Sequence, residues 1–161
     1  MENNPVNGTD PYGLTRLTFN VRAGLLIVDP ESAGRSRYTI RATSVKGSCM
    51  NNPECECKED IGPIPRGNYT ANNSKLVNPN FIRDILTTIK SGDYGDWRIP
   101  LVPSSGTNTF DRFGFYLHGG LFAGSAGCID IGGGIWGNAS TSKLLNDIKS
   151  DPDGIVPLVV Q

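Results

Sequence analysis

The chain has 161 residues, a formal net charge of -1 and a hydrophobic fraction of 37%, which suit a single domain with a real core. Gly (20) and Pro (11) are frequent but stay below the level of a low-complexity chain, so we expect a loop-rich domain that favours β-structure. Lys and Arg form no basic stripe, so nucleic acid is not an expected partner. The sequence also has no apolar stretch long enough to cross a membrane and no signal-peptide pattern at its start. We therefore expect no membrane insertion and, for a substrate outside the cytoplasm, delivery by other means.

The first residues, NNPVNGTDPYGL, are polar and rich in turn-forming steps, which by themselves predict a flexible leader. They also resemble the signature that ends the shell of Rhs polymorphic toxins, Asn-Pro followed by Asp-Pro-x-Gly-Leu. The matching residues are Asn4, Pro5, Asp10, Pro11, Gly13 and Leu14. The resemblance implies that residues 1–14 are the end of an Rhs shell, cut after the leucine. Residues 15–161 are then a toxin domain delivered by a secretion apparatus.

The periodicity of the remaining chain predicts a mostly-β domain with one or two short α-helices. Apolar or alternating strands are expected at 15–21, 25–28, 38–42, from 67 onward, and at 113–118, 128–131 and 155–160. One helix is expected at 81–89, where Asn78 and Pro79 suit its start and Gly92 its end. A second is expected at 142–149.

Three of the four cysteines are close together, Cys49, Cys55 and Cys57, and Cys128 stands apart. The Cys-x5-Cys-x-Cys spacing, without a histidine, does not match common zinc sites. We therefore expect no metal and no other cofactor. Either one disulfide inside the cluster, in an oxidising compartment, or three reduced thiols in a loop fits this spacing.

The candidate chemistry lies in the segment 113–134, FGFYLHGGLFAGSAGCIDIGGG. Alternation places His118 at the end of a strand, on the face opposite Phe113, Phe115 and Leu117. A small-residue loop then leads to a short strand that starts at Cys128, and a hairpin would return Cys128 beside His118. A free thiol with a pKa of ~8.5 is mostly protonated at neutral pH and needs a base to attack.

His118 is the only histidine, so no other imidazole can accept the thiol proton and return one to the leaving amine. Gly127, directly before Cys128, allows a substrate backbone to approach. Backbone N–H groups around the nucleophile are then candidates for stabilising an oxyanion. The alternative is a half-buried histidine and a buried cysteine that acts as a small apolar residue.

These residues resemble the catalytic motif of L,D-transpeptidases, His-Gly followed by Ser-x-Gly-Cys. His118, Gly119, Ser125, Gly127 and Cys128 match it position by position. Further stretches look like the smaller L,D-transpeptidase-like effectors of type VI secretion: 42–44, 49–53, 62–69, 97–101 and 112–115. The resemblance therefore covers most of residues 40–132, and it implies a β-sandwich or barrel-like fold.

The family's activity implies cleavage between the third residue and the terminal D-Ala of a peptidoglycan stem tetrapeptide. Cys128 would carry the acyl group with His118 as base and Ser125 in the site, while Gly119 and Gly127 would lie near substrate or oxyanion. Water or an amine would resolve the acyl-enzyme. The expected place of action is the periplasm of a target bacterium, with a cognate immunity protein as a partner.

The sequence departs from the housekeeping enzymes at two positions, where Ala126 replaces a histidine and Asp130 replaces an arginine. The missing arginine leaves the substrate carboxylate without an obvious ligand, and Arg98 and Arg112 are the candidates. A backbone carbonyl, as is common in the family, or Asp130 could orient His118.

Two other functions are alternatives to the enzyme. In papain-like and NlpC/P60-like peptidases the cysteine precedes the histidine, whereas here Cys128 follows His118 and no later histidine exists. A non-catalytic cell-wall binding or adaptor domain is the second alternative. It is distinguished by thiol reactivity, because a binding module has no need for a reactive Cys128.

Overall fold

The computed structural model describes residues 14–30, 34–77, 97–120, 127–134 and 137–161. These ranges hold the strands β1 (Arg16–Asn20), β2 (Leu25–Asp29), β3 (Tyr38–Arg41), β4 (Gly67–Asn72), β5 (Arg98–Pro103), β6 (Tyr116–Gly120), β7 (Ile129–Gly133) and β8 (Ile155–Val160). They also hold one α-helix, α1 (Ala139–Lys149). No helix in these ranges is both long and apolar enough to cross a membrane.

The strands form one sheet in the order β3-β2-β1-β8-β4-β5-β6-β7. The pairs β1–β8 and β6–β7 are parallel, and the other neighbours are antiparallel. The two ends of the sheet meet because Thr43, just after β3, exchanges two backbone hydrogen bonds of 2.8 Å with Asp130 of β7. The sheet is therefore a nearly closed barrel, which protects its edge strands.

The inward faces of the strands and one face of α1 form a single core that includes Phe19, Tyr69 and Trp97. The helix contributes Leu144, Leu145 and Ile148 to this core. Its start is fixed by a capping box in which Asn138 and Thr141 satisfy each other's backbone N–H groups. The result is a rigid sheet on which β6 and β7 are held in fixed register.

The predicted mostly-β class is confirmed, as are the β1–β2 hairpin and the last strand. The helix predicted at 142–149 is also present, but it starts at Ala139 because Asn138 caps it. The strand predicted at 113–118 starts only at Tyr116, and Phe113, expected on the apolar face, is 89% exposed. The helix predicted at 81–89, with Asn78, Pro79 and Gly92, lies outside the described residues.

Two features of the sheet differ from expectation. The predicted hairpin between His118 and Cys128 is wrong, because β6 and β7 run parallel, with Leu117 opposite Ile129 and His118 opposite Asp130. Strand β5 had not been predicted, since Pro100 and Pro103 interrupt it and proline is unusual inside a sheet.

Candidate active site

β6 and β7 place the candidate nucleophile and base at the same edge of the barrel. Side chains of paired residues in a parallel sheet leave the same face, so His118 and Asp130 lie side by side. Their neighbours Leu117 and Ile129 point into the core. Cys128 precedes Asp130 by two residues; its thiol lies 3.9 Å from the carbonyl oxygen of Gly114 and is close enough to His118 to raise the pKa of that imidazole. The structure therefore brings Cys128, His118 and Asp130 together, by parallel register rather than by a hairpin.

The imidazole of His118 is oriented by the backbone. Its Nδ1 lies 2.7 Å from the carbonyl oxygen of Gly119. Because a carbonyl only accepts, Nδ1 carries the proton and Nε2 carries the lone pair. This is the tautomer that a base needs to accept a thiol proton. Of the two orienting groups considered from the sequence, the Gly119 carbonyl is the one hydrogen-bonded to the ring.

His118 is fully buried, and its surroundings set its protonation. Burial lowers the pKa of His118, but hydrogen bonds with Cys128 and Gly119 and the negative charges of Cys128 and Asp130 outweigh it. The net effect is a pKa raised above the usual value of 6.5. The site thus stabilises an imidazolium, which is the form that His118 takes after accepting a proton.

Position 127 needs a glycine, because of both its backbone conformation and the lack of room for a side chain. Its φ is +75°, and a Cβ there would lie 3.0 Å from the Arg112 Nη2 atom and from the Phe115 ring. Its N–H donates to the carbonyl of Gly62 over 3.2 Å. Gly127 therefore joins the chain just before Cys128 to a distant loop, in addition to any contact with substrate.

Arg112 binds that same loop. Its Nη1 donates to the carbonyls of Glu56 (2.5 Å) and Pro63 (2.8 Å), and its Nη2 donates to the carbonyl of Gly62 (2.8 Å). The guanidinium also lies 5.8 Å from the Phe115 ring centroid. Burial lowers the pKa of Arg112, with nearby negative charges opposing the effect. The guanidinium N–H groups that could bind a substrate carboxylate are thus already donated to three backbone carbonyls.

Arg98 occupies a different position from Arg112. It is paired with His118 across β5 and β6, so the two side chains share a face, and its guanidinium carbon lies 5.6 Å from the Tyr116 ring centroid. Arg98 and Asp130 therefore flank His118 on opposite sides. The predicted role of Arg98 at a substrate carboxylate stays a prediction.

The cysteine cluster contains one disulfide, between Cys49 and Cys55, whose Cα atoms are 5.7 Å apart. With Val45 these two residues form a small second core. Cys57 is an exposed free thiol and Cys128 is a buried one. Of the two arrangements that the spacing allowed, the disulfide is the one formed, and it leaves the candidate nucleophile free.

Two other expectations concern parts of the site. Ser125 and Ala126 lie outside the described residues, so the role of Ser125 stays a prediction. Within the described ranges, no group of three or more His, Cys, Asp or Glu side chains is placed to hold a metal ion.

The fold and the site together define a class, a nearly closed β-barrel that carries a cysteine–histidine pair at one edge. The Tlde1 domain model matches residues 38–147, and the chain belongs to this family of type VI effectors. A comparison with curated proteins gave no match.

Solved structures show a similar fold. Bd1075 of Bdellovibrio bacteriovorus is 19% identical with a TM-score of 0.52, over 93% of this chain and 48% of that one. An L,D-transpeptidase from Mycobacterium smegmatis is 19% identical (TM-score 0.46; 91% and 58% covered). L,D-transpeptidase 1 of Mycobacterium tuberculosis is 17% identical (TM-score 0.48; 91% and 61% covered). The chain thus spans only about half to three-fifths of the length of these proteins.

Proposed function

We propose that this domain is an antibacterial toxin that acts on peptidoglycan, as an L,D-carboxypeptidase or L,D-transpeptidase on stem tetrapeptides. The observation that carries the proposal is the placement of the Cys128 thiol beside His118, whose Nδ1 is held by the Gly119 carbonyl. This arrangement leaves Nε2 as the basic atom beside a thiol, as nucleophilic catalysis requires. It occurs in a chain of the Tlde1 domain family. A binding or adaptor domain has no use for such a pair.

In the proposed reaction, His118 Nε2 takes the thiol proton and Cys128 Sγ attacks the carbonyl carbon of the third stem residue. The C–N bond to D-Ala breaks, and the imidazolium returns its proton to the departing amine. Water then hydrolyses the thioester in the carboxypeptidase reaction. In the exchange reaction, an amine takes the place of water.

The raised pKa of His118 supports the reaction step in which the imidazole has accepted the thiol proton. The imidazolium formed when the thiol is deprotonated lies beside the carboxylate of Asp130, which stabilises its charge. Asp130 therefore contributes electrostatically at a position where the housekeeping enzymes carry an arginine. The ring is oriented by Gly119, so Asp130 need not orient it as well.

We assign different roles to the two arginines. Arg98 shares a face with His118 and is proposed to contact the substrate near the scissile bond. Arg112 is proposed as a positioning residue, because its donors hold the loop that binds Gly127. Ser125 and Gly119 are proposed to line the site around the acyl group, and Gly127 to set the position of Cys128.

Delivery is also part of the proposal. The residues from Asn4 to Leu14 that resemble an Rhs shell end support release of the domain by self-cleavage and transport by a secretion apparatus into the target periplasm. A cognate immunity protein would protect the producer. Expression with an added signal peptide should lyse or round bacteria, and cytoplasmic expression should be tolerated. Equal toxicity from the cytoplasm would contradict a peptidoglycan target.

The direct test is mass analysis of purified muropeptides after incubation with the domain. Tetrapeptides should lose D-Ala, or exchange it when a D-amino acid is added. Cys128→Ala should give no product and keep its thermal unfolding transition, whereas Cys57→Ala, at the exposed free thiol, should be fully active. Product formation by Cys128→Ala at the wild-type rate would show that the nucleophile is wrongly assigned.

A further inference from the structure

Thr15 is the first buried residue of the described chain, and two hydrogen bonds fix its position. It is 3% exposed and directly precedes β1, which pairs with β2 on one side and with β8 on the other. Its backbone N–H donates to Oδ2 of Asp151 over 2.7 Å, and its hydroxyl donates to the carbonyl of Asp147 over 3.4 Å. The start of an inner strand is therefore attached to the C-terminal end of α1.

Asp151 is a buried carboxylate that accepts from two neutral backbone groups. It is 5% exposed, and besides the Thr15 N–H it accepts the Gly154 N–H at Oδ1 over 3.1 Å. None of the ion pairs within the described ranges includes it. Buried carboxylates are usually paired with a cation, because burial without a countercharge costs free energy. Among the described residues, this place therefore holds a negative charge that no cation compensates.

The C-terminal end of α1 adds to the negative potential at the same place. Carbonyl groups in the last turn of a helix have no partner within the helix and carry partial negative charge. Asp147 contributes such a carbonyl, to which Thr15 donates its hydroxyl. The carboxylate of Asp147 is engaged elsewhere, with Arg35 and with the hydroxyl of Tyr38. The backbone nitrogen of Thr15 thus lies where a carboxylate and a helix C-terminus both favour a cation.

We propose that Asp151 and the end of α1 form a binding site for the chain's own N-terminal ammonium group, created at Thr15 when the bond to Leu14 is cut. This rests on the release step of the proposed function. Hydrolysis of the bond adds one water, leaving a carboxylate on Leu14 and an amine on Thr15, and the amine takes up a proton. An α-amino group with an ordinary pKa of about 7.7–8.0 is mostly protonated at neutral pH. The cut then replaces a neutral hydrogen bond to Asp151 with a charged one.

The site couples release of the domain to its stability. In the uncut chain the nitrogen of Thr15 carries one hydrogen and no charge, whereas after the cut it carries a positive charge beside a buried carboxylate. Hydrogen bonds between charged groups are stronger than neutral ones. The described strands, α1 and the core residues all follow Thr15 in the chain, so the cut removes none of them. The released domain is therefore more stable than the same domain with an uncharged nitrogen at this position.

The test compares residues 15–161 with a free amine at Thr15 and the same residues acetylated there. Acetylation keeps the N–H and removes the charge, so it is the matched control for the peptide bond to Leu14. Both forms should keep the far-UV circular dichroism spectrum of residues 1–161. In denaturant unfolding at neutral pH, the free-amine form should have a folding equilibrium constant on the order of 10-fold larger than the acetylated form. Asp151→Asn should abolish this advantage, whereas Asp153→Asn, at an exposed carboxylate nearby, should keep it.

A second measurement needs no substitution. In the folded free-amine form, the amine of Thr15 should react with an acylating reagent on the order of 10-fold or more slowly than in denaturant, because it reacts only after local opening. Mass mapping of the N-terminal peptide gives both rates.

Four results would overturn the assignment: a free-amine form that does not fold, equal stability of the two forms, an advantage that survives Asp151→Asn, or equal acylation rates in folded and denatured protein. Muropeptide turnover separates this inference from the proposed function. Turnover by a domain whose amine gives no advantage removes the ammonium site alone. An advantage that depends on Asp151, in a domain without turnover, removes the enzyme alone.

Discussion

Two regions meet at the candidate nucleophile, and they are held together in different ways. β6 and β7 fix His118 and Asp130 through backbone register. The segment 44–66 contains no strand and depends on the Cys49–Cys55 disulfide and on side-chain hydrogen bonds. The two regions join where Gly127 donates to Gly62. Substitutions on the strand face should therefore change chemistry in an intact fold, while substitutions that loosen the segment should change stability and activity together.

The largest effect is expected on the strand face. His118→Ala should lower kcat on the order of 10²-fold or more, because it removes a positioned base. It should also slow alkylation of Cys128 by iodoacetamide near neutral pH, since the imidazole no longer takes the thiol proton. Both proteins should carry Cys57→Ala, because Cys57 is the other free thiol. Superimposable rate–pH profiles in folded protein would remove His118 from the mechanism.

The second-largest effect on activity and stability is expected from Arg112, which lies where the two regions are connected. Arg112→Ala should lower the free energy of unfolding by about 3 kcal/mol, because three carbonyls lose a charged donor. It should also reduce kcat, since Gly127 loses its support. Arg112→Lys keeps the charge but not the fork, so it should recover stability only in part. If Arg112 instead bound the substrate carboxylate, Arg112→Ala would raise KM and leave thermal unfolding unchanged.

A smaller effect is expected from the disulfide within the segment. Cys49→Ser combined with Cys55→Ser should lower the free energy of unfolding by about 2 kcal/mol, the loop-entropy value for so short a loop. Activity should fall in the same variant, and in wild-type protein treated with reductant. Cys57→Ser is the matched control: it keeps the disulfide, so it should match the wild type in stability and activity and should lose activity with reductant as the wild type does. Full activity after reduction would show that the segment is held without the disulfide.

Features that depend on local sequence could be predicted, whereas features that depend on how distant strands pair could not. The pairing of His118 with Cys128 follows from a local motif, so the sequence alone predicts it. The direction of the second strand was not, because alternation marks which residues share a face and carries no information on parallel or antiparallel pairing. Strand β5 was missed because Pro100 and Pro103 depress strand propensity, which tertiary pairing with β4 and β6 overrides.

The roles of the arginines lie still further from local sequence. Arg112 binds carbonyls 49 to 56 residues earlier in the chain, a contact that no spacing rule signals. Arg98 shares a face with His118 only because β5 pairs with β6, a strand pairing that the sequence does not predict. Both placements are properties of the whole fold.

The smallest effect is a shift in protonation on the strand face, where Asp130→Asn should lower the pKa of His118 by removing a neighbouring negative charge. Because His118 is the only histidine, NMR of its ring protons against pH reports this directly.

The raised pKa of His118 also determines how the stability of the fold changes with pH. The folded pKa lies above the unfolded value of ~6.5, so this stabilisation is complete below about pH 6.5 and is lost as pH rises through the folded pKa. The variant should lose less stability over that range than the wild type. Asp153→Asn, exposed before β8, should leave the titration of His118 unchanged. An unchanged midpoint in Asp130→Asn would mean that the hydrogen bonds with Cys128 and Gly119 hold the imidazolium without help from the carboxylate.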